Sequence, residues 1–432
     1  MKDQINLRGL ALDVITEVME HEAFSNQYLH AVLMKYRFLE KQERAFISRL
    51  CLGTIENAIL LDVIIDRYSK TKVSKMKPVV RNVLRLSVYQ IYFMEGVPDF
   101  SAVNEAVKLV KKRGLSGLGG FVNGVLRSIL RDKKPLSEQD LKPYERYSLP
   151  DWLYEDWKDA YGEETVEAMA ASFQMQDKTC IRTNRIKITP GDLKERLNKE
   201  GVEAEEAEGL DYAFFISGYD YLEGLSSFRE GLFYVQDISS MMVAERAAVK
   251  ADDHILDICA APGGKSIHIA EKLALLKGSG TVEARDLTEK KAELIRENIT
   301  RCGLDNISAK VWDARKTDET AIRSADVVIA DLPCSGLGVI GKKPEIKYRI
   351  NMDEEMELAA LQRDILEASF DYVKPRGRLV YSTCTVDRWE NEDNLTWFLS
   401  GHPDFSVVSS EQILPTEGKR DGFYIAVLER EA

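Results

Sequence analysis

The stretch ILDICAAPGGKS, residues 255–266, consists of an apolar segment, a turn with two adjacent glycines and the start of a helical pattern. In an open α/β sheet, ligands bind just beyond the carboxyl ends of the strands, where such turns lie. Glycines let a ligand approach the backbone closely, and the first turn of a helix offers unpaired N–H groups. The stretch is neither the dinucleotide fingerprint G-x-G-x-x-G nor a P-loop. Alone, it indicates a binding turn without identifying the ligand.

Predicted strands and helices alternate from about residue 250 to the end of the sequence, and the glycine turn follows the first of these strands. Such alternation is typical of a doubly wound parallel sheet, so we expect an α/β Rossmann-like domain over 246–432. The predicted helices are 264–276, 287–302 and 353–374. The predicted strands are HILDIC (254–259), GTVEARD (280–286), ISAKVWD (307–313), DVVIAD (326–331), RLVYST (378–383) and FYIAVLER (423–430).

Three further segments precede this domain, which makes the chain multidomain. Residues 1–134 are predicted to form an all-α domain because apolar residues recur at intervals of three and four. Residues 135–150 contain three prolines and mixed charge, and we expect a linker there. Residues 151–245 are predicted to form a small α/β module, with strands at 180–187 and 213–217 and a helix at 191–201.

Charge is distributed unevenly along the 432 residues. The chain carries a net charge of −12, but residues 1–134 carry +8 and the remainder carries −20. A basic module joined to an acidic one suggests that the first domain binds a polyanion, although a solvated basic face is the simpler alternative. Two basic clusters are candidate phosphate contacts: Lys111, Lys112 and Arg113, and Lys342, Lys343 and Lys347.

Composition excludes several other classes of protein. The six cysteines are scattered, without a CxxC pair or a Cys/His cluster, so we expect neither a disulfide framework nor a metal site. The sequence begins without a signal-peptide pattern and has no apolar stretch of membrane-spanning length. We therefore expect a cytoplasmic protein that does not contact a membrane.

Acidic residues follow the next two predicted strands. Asp286 lies 23 residues after Gly263, where a carboxylate can accept hydrogen bonds from both hydroxyls of a ribose. Asp313 ends the third strand and is suited to an adenine amino group. Each aspartate alone could instead cap a helix. Together with the glycine turn, a nucleoside site without a phosphate cradle favours S-adenosylmethionine over NAD or ATP.

Two cysteines follow two other predicted strands. Cys334 lies in DLPCSGLG (331–338), and Cys384 lies in YSTCTVD (381–387). A single free cysteine is most often a small buried hydrophobe. Two cysteines in turns at the carboxyl ends of strands are in position for chemistry, and this arrangement favours a catalytic pair.

Several motifs resemble a known family. DICAAPGGKS (257–266), DLPCSGLGVIGKKPEIKYR (331–349) and YSTCTVDRWENE (381–392) are similar to motifs of the RNA 5-methylcytosine methyltransferases. RLSVYQIYF (85–93) and GFVNGVLRSI (120–129) are similar to the RNA-binding factor NusB. The combination resembles the Sun/Fmu (RsmB) family of bacterial 16S ribosomal RNA cytosine-C5 methyltransferases. One departure is Arg285, where the family more often has an apolar residue before the aspartate.

The resemblance implies a function and a set of site residues. It implies methylation of carbon-5 of a cytosine in 16S ribosomal RNA, expected at cytosine 967. We expect the protein to be a monomer. Cys384 would be the nucleophile, Cys334 would assist product release, and Asp331 would hold the cytosine edge. S-adenosylmethionine would be bound by Cys259, Ala260, Ala261, Pro262, Gly263, Gly264, Lys265, Asp286, Asp313 and Asp331.

The chemistry explains why a thiol is needed. Carbon-5 of cytosine is a poor nucleophile, and addition of a thiolate to carbon-6 makes it enamine-like, which divides one difficult step into two easier ones. The residues themselves do not say which cysteine attacks. Two alternatives remain: methylation of transfer RNA, whose enzymes usually lack a NusB-like domain, and a NusB-like RNA-binding or assembly factor with a non-catalytic methyltransferase domain.

Overall fold

The protein is described here by a computed structural model covering residues 5–175, 178–417 and 419–432. It divides into two compact units. The first unit contains residues 5–175 and, from much later in the chain, residues 340–349. The second contains the described residues of 178–339 and 350–432.

The first unit is built from helices packed around α5, whose central residues are buried on every side. Gly53 on α3 permits one close approach, because a Cβ there would lie 2.0 Å from the hydroxyl oxygen of Tyr89 on α5. The helices are α1 (Leu7–Glu20), α2 (Ser25–Lys35), α3 (Lys41–Glu56), α4 (Ala58–Tyr68), α5 (Pro78–Phe93), α6 (Asp99–Lys112), α7 (Gly119–Arg131), α8 (Pro143–Arg146), α9 (Asp151–Tyr161) and α10 (Glu163–Phe173).

The predicted linker at 135–150 is instead part of this unit. Leu141 and Leu149 are buried, and the Ser148 hydroxyl accepts a hydrogen bond of 3.0 Å from the backbone N–H of Ile59, at the start of α4. The prolines of this segment correctly indicated that the helices are interrupted there. They do not indicate whether the segment packs against the domain. Helices α9 and α10 also belong to the first unit, although the small module was predicted to begin at residue 151.

The second unit begins with a small antiparallel sheet, which confirms the predicted strand–helix–strand module. Its order is β2-β3-β1-β4, and it packs Ile181, Phe214 and Phe233 into a core with Leu193 and Leu197 of α11. Strand β2 was missed because its sequence, EAEE, is exposed and lacks an apolar pattern. The elements are β1 (Thr179–Thr183), α11 (Pro190–Lys199), β2 (Glu203–Glu206), β3 (Ala213–Ser217), α12 (Ser226–Arg229) and β4 (Phe233–Val235).

The rest of the second unit is a Rossmann-like sheet of order β10-β11-β9-β8-β5-β6-β7, as expected for the methyltransferase fold. The sheet is mixed, because β11 runs antiparallel to both of its neighbours while the remaining pairs are parallel. The elements are α13 (Ile238–Ala247), β5 (His254–Asp257), α14 (Gly264–Leu276), β6 (Thr281–Asp286), α15 (Glu289–Cys302), β7 (Ile307–Val311), β8 (Ala325–Asp331), α16 (Met352–Ser369), β9 (Val373–Thr383), α17 (Glu392–Gly401), β10 (Phe405–Ile413) and β11 (Phe423–Arg430).

Neither a membrane-spanning helix nor a metal-binding group of side chains is found among the residues that the structure describes. Within those residues, no helix is long and apolar enough to cross a bilayer. The same part of the chain contains no group of His, Cys, Asp and Glu side chains arranged to hold a metal ion.

Candidate active site

The two predicted catalytic cysteines lie side by side at the carboxyl ends of neighbouring strands. Strands β8 and β9 pair in parallel with Asp331 opposite Ser382, and a cysteine follows each strand within three residues. The sulfur atoms of Cys334 and Cys384 are 3.3 Å apart. The next residues, Ser335 and Thr385, are joined by a hydrogen bond of 2.7 Å between their hydroxyls. The two cysteine turns are therefore held in one arrangement.

Asp331 and Lys265 form an ion pair beside the thiols. One carboxylate oxygen of Asp331 accepts from the Lys265 ammonium at 2.6 Å, and the other accepts from the Ser382 hydroxyl at 2.8 Å. Both oxygens thus act as acceptors. A hydrogen bond donated to a cytosine ring at this place would come from Lys265, the partner of Asp331, rather than from Asp331 itself.

The surroundings of Cys334 and Lys265 give them different protonation preferences. The hydrogen bond with Cys384 and then burial raise the pKa of Cys334 well above its usual value, and the charges of Cys384, Glu390 and Asp331 add to this. Burial lowers the pKa of Lys265, but the charges of Asp331 and Cys384 and the hydrogen bond to Asp331 outweigh it, so that pKa is raised. Cys334 therefore retains its proton, and Lys265 is a cation within the electrostatic reach of Cys384.

The glycine turn joins β5 to α14 as predicted. Gly263 has φ of +104°, a conformation that side chains with a Cβ rarely adopt, and a Cβ there would crowd Ile267 and Ile295. The Ala260 N–H donates to the carbonyl of Arg285 on β6 at 2.8 Å, which fastens the turn to the neighbouring strand. Asp257 ends β5; burial raises its pKa to about 7, against the effect of the hydrogen bond from Ser266.

The structure brings Asp286 to this turn. Its carboxylate accepts from the N–H of Ala261 at 2.9 Å and of Leu287 at 2.7 Å, and it lies 2.9 Å from the Lys291 ammonium. Asp313 instead binds the Arg315 guanidinium through both oxygens, at 2.9 and 2.8 Å. Chiefly because of those hydrogen bonds, the pKa of Asp313 falls to about 2.

The chemistry of these groups fits a nucleoside. The cations nearest the turn, Lys265 and Lys291, are each paired with a carboxylate. The carboxylates of Asp286 and Asp313 follow adjacent parallel strands and are acceptors for hydroxyl and amino groups. These residues are consistent with the predicted S-adenosylmethionine site and do not form a phosphate cradle.

The side chain of Arg285, the residue that departs from the family pattern, has partners outside the glycine turn. Its guanidinium is buried and pairs with Asp318 at 2.9 Å and with Glu283 at 2.5 Å. It also lies over the ring of Trp312, 5.4 Å from the centroid. Two carboxylates of the second unit therefore neutralise the charge of Arg285.

The second basic cluster requires a correction. Lys342 is exposed and Lys343 is half-buried, but Lys347 is buried and donates to the backbone carbonyl of Glu56 at 2.8 Å. A buried ammonium bound in this way is not presented to an RNA phosphate. Tyr348 beside it donates to the carbonyl of Ile55 at 2.7 Å, so this part of 340–349 anchors itself among the helices of the first unit.

The first basic cluster is exposed. Lys111, Lys112 and Arg113 lie at the end of α6, and Arg113 forms an ion pair with Asp13. Lys111 and Lys112, with Lys108, line a groove of about 1210 Å³.

Two buried polar residues beside the cysteine turns, Glu390 and Gln362, were not predicted from the sequence. The Gln362 amide donates to Glu390 at 2.7 Å and to the carbonyl of Pro333 at 2.9 Å, directly before Cys334. Glu390 lies within the YSTCTVDRWENE motif, and a charged side chain six residues after the cysteine of that motif was the available signal.

Comparison with family models gives three matches in chain order. Residues 5–131 match the NusB family, and residues 149–219 match a ferredoxin-like domain of RsmF/B-like methyltransferases. Residues 245–429 match the 16S rRNA methyltransferase RsmB/F family. The second match begins within the part of the chain that packs with the first unit.

Proteins and solved structures of similar sequence extend these matches over the whole chain. A probable ribosomal RNA small subunit methyltransferase B of Bacillus subtilis is 39% identical, over 96% of this chain and 94% of that protein. The corresponding protein of Proteus mirabilis is 30% identical over the full length of both. The crystal structure of PH0851 matches over the full length of both chains, with a TM-score of 0.85 and 27% identity. Because such similarity extends over nearly the whole length of the Bacillus protein, the chain belongs to the 16S rRNA methyltransferase RsmB/F family.

Proposed function

We propose that this protein transfers a methyl group from S-adenosylmethionine to carbon-5 of a cytosine in 16S ribosomal RNA, at cytosine 967, through a covalent bond between Cys384 and the base. The observation that carries the proposal is the pair of sulfur atoms 3.3 Å apart, next to the ion pair of Lys265 and Asp331. The names of the relatives support ribosomal RNA as the substrate class.

The first step starts from the Cys384 thiolate, whose proton has been lost to solvent, and forms a bond between its sulfur and carbon-6 of cytosine. The electron pair of the carbon-5–carbon-6 double bond shifts into the ring, toward nitrogen 3, where Lys265 donates a hydrogen bond while Asp331 orients it. Carbon-5 is then nucleophilic. When bound, S-adenosylmethionine supplies an electrophilic methyl group on a sulfonium.

The last step removes the proton from carbon-5 and breaks the bond between sulfur and carbon-6. Two of the causes that raise the pKa of Cys334 are the hydrogen bond with Cys384 and its charge. Both disappear when the Cys384 sulfur is bonded to carbon, so the pKa of Cys334 falls. The half-buried thiol of Cys334 then releases its own proton to solvent and becomes a thiolate that can act as a base. Cys334 accepts the proton, and the electron pair returns to Cys384 as a thiolate.

The cofactor site predicts a large loss of affinity on replacement of Asp286. In the full-length protein, Asp286→Ala should weaken S-adenosylmethionine binding by roughly 10- to 100-fold, because hydrogen bonds to a charged acceptor are lost. Isothermal titration calorimetry measures this. The matched control is Asp252→Ala, whose carboxylate binds Ser279 near the amino ends of the strands. Equal affinities of the two variants would contradict the assigned site.

The exposed basic cluster predicts RNA binding that is sensitive to salt. Reversing Lys111, Lys112 and Arg113 to glutamate should weaken binding of a 16S ribosomal RNA transcript, because fewer counterions are released from neutralised phosphates. The slope of log affinity against log salt should fall by about two. Arg131→Glu, an exposed charge on α7 in the same unit, is the control. An unchanged slope in the triple variant would assign these charges to solubility alone.

The substrate is tested by bisulfite sequencing of total RNA from cells with and without the gene. We expect the protected cytosine at position 967 of 16S ribosomal RNA to disappear with the gene. Loss of protection in transfer RNA instead would establish the first alternative. Unchanged protection at every cytosine would favour the non-catalytic RNA-binding factor.

A further inference from the structure

Glu390 is a buried carboxyl group without a role in the steps above. It lies six residues after Cys384, between β9 and α17, and its side chain is fully shielded from solvent. One oxygen accepts from the Ser335 N–H at 2.9 Å and from the Gln362 amide at 2.7 Å. Burial raises its pKa to about 7, although the Ser335 and Gln362 hydrogen bonds oppose this.

Gln362 on α16 completes the connection to the other side of Cys334. Its amide nitrogen also donates to the Pro333 carbonyl at 2.9 Å. Its amide oxygen accepts from the Asn394 amide at 2.7 Å. A flipped amide would place that oxygen against the Pro333 carbonyl and the Glu390 carboxylate, so the orientation of Gln362 is determined.

Glu390 is itself held on both sides. Its backbone N–H donates to the Asp387 carboxylate at 2.9 Å, and its carbonyl accepts from the Tyr381 hydroxyl. The strand end that carries Cys384 has a separate support, a hydrogen bond of 2.5 Å from Thr383 to Asn391. The carboxylate of Glu390 therefore binds the loop of Cys334 directly, and it reaches Thr385, next to Cys384, only through Ser335.

We propose that Glu390 is a positioning residue which, with Gln362, holds Cys334 in place to remove the carbon-5 proton and so sets the rate of product release. The Pro333 carbonyl and the Ser335 N–H flank Cys334, and both are bound by this pair. The proposal rests on the covalent mechanism of the proposed function. Glu390 affects product release because it acts through Cys334. Cys334 is not required for formation of the first bond or for methyl transfer.

The test uses full-length protein, an unmodified 16S ribosomal RNA transcript and radiolabelled S-adenosylmethionine. Glu390→Ala should accumulate a labelled covalent protein–RNA band on denaturing gels while multiple turnover falls about tenfold or more. Glu390→Gln keeps an acceptor for the Ser335 N–H and should restore turnover to within about threefold of the wild type. The matched control is Glu271→Ala, a buried glutamate bound to Arg182, which should lose stability without accumulating the band.

The possible results distinguish failure of the positioning role of Glu390 from failure of the covalent mechanism. A slow Glu390→Ala variant without the band, beside a Cys334→Ala variant that shows it, would overturn the positioning role and leave the covalent mechanism intact. A Cys334→Ala variant without the band would refute both. A Glu390→Gln variant as slow as Glu390→Ala would also overturn positioning by hydrogen bonds. If Glu390→Ala fails to fold, Gln362→Met removes the contacts on the same loop, and the presence or absence of its band decides.

Discussion

Replacing Cys384 by alanine should abolish methylation of a 16S ribosomal RNA transcript and leave no covalent protein–RNA product. The expected loss of rate is on the order of 10⁴-fold or more, as for other enzymes that lose a covalent nucleophile. The neighbouring thiol should not substitute for it, because Cys334 has a raised pKa and its loop is bound by Glu390 and Gln362. Radiolabelled methyl transfer and denaturing gels measure both effects.

Replacing Cys334 by alanine should fail at a later step. Cys384 and the pair of Lys265 and Asp331 remain, so addition and methyl transfer proceed, but the carbon-5 proton has no base to accept it. Protein joined to methylated RNA should therefore accumulate as a shifted, labelled band. The double variant without both thiols should show no band.

The control is Cys302→Ala, which removes a buried thiol at the end of α15 and should retain activity without a trapped product. A trapped product with Cys384→Ala rather than with Cys334→Ala would exchange the two roles. Retained activity in both single variants would return these thiols to ordinary core packing, as for most free cysteines.

The positions of the residues at the strand ends could be predicted from the sequence for a physical reason. Carboxyl ends of parallel strands share one edge of a sheet, so Asp286, Asp331 and the two cysteines could be placed there from local patterns alone. Strand β10 was missed, because most of its residues are exposed at the edge of the sheet. The antiparallel direction of β11 was missed as well, since an apolar run is the same in either direction.

Long-range contacts account for what the sequence could not predict. The sequence does not distinguish the three lysines of the second basic cluster, Lys342, Lys343 and Lys347. Only Lys347 is buried, and its ammonium binds a residue 291 positions earlier in the chain. The position of Gln362 beside the Cys334 loop likewise depends on contacts with residues of other elements, Pro333 and Glu390. Local periodicity contains no information about such partners.

Replacing Lys347 by glutamate should destabilise the first unit strongly. The ammonium is buried and binds the Glu56 carbonyl, so a carboxylate there would face an acceptor and lie buried without a partner. The expected cost in free energy of unfolding is about 3–5 kcal/mol, the range found when one partner of a buried charge is lost. In thermal unfolding this corresponds to a decrease of roughly 10 °C.

Lys342→Glu provides the matched control, because it makes the same charge change at an exposed position five residues away. Its effect on stability should stay within about 0.5 kcal/mol. Equal melting temperatures of Lys347→Glu and the wild type would show that Lys347 is solvated in solution, which would return it to the predicted phosphate contacts.

The pH dependence of stability gives an independent test of the same burial. Burial lowers the pKa of Lys347 to about 8, opposed by the charge of Glu56, whereas a lysine in the unfolded chain titrates near 10.4. Between these two values the unfolded state binds more protons, so this residue makes stability rise with pH. Lys347→Met lacks this contribution. The stability of the wild type relative to Lys347→Met, measured by urea unfolding, should therefore increase from pH 8 to pH 10, by up to about 1.4 kcal/mol per pH unit. A difference that stays constant over this range would mean that the ammonium is exposed to water, contrary to its contact with Glu56.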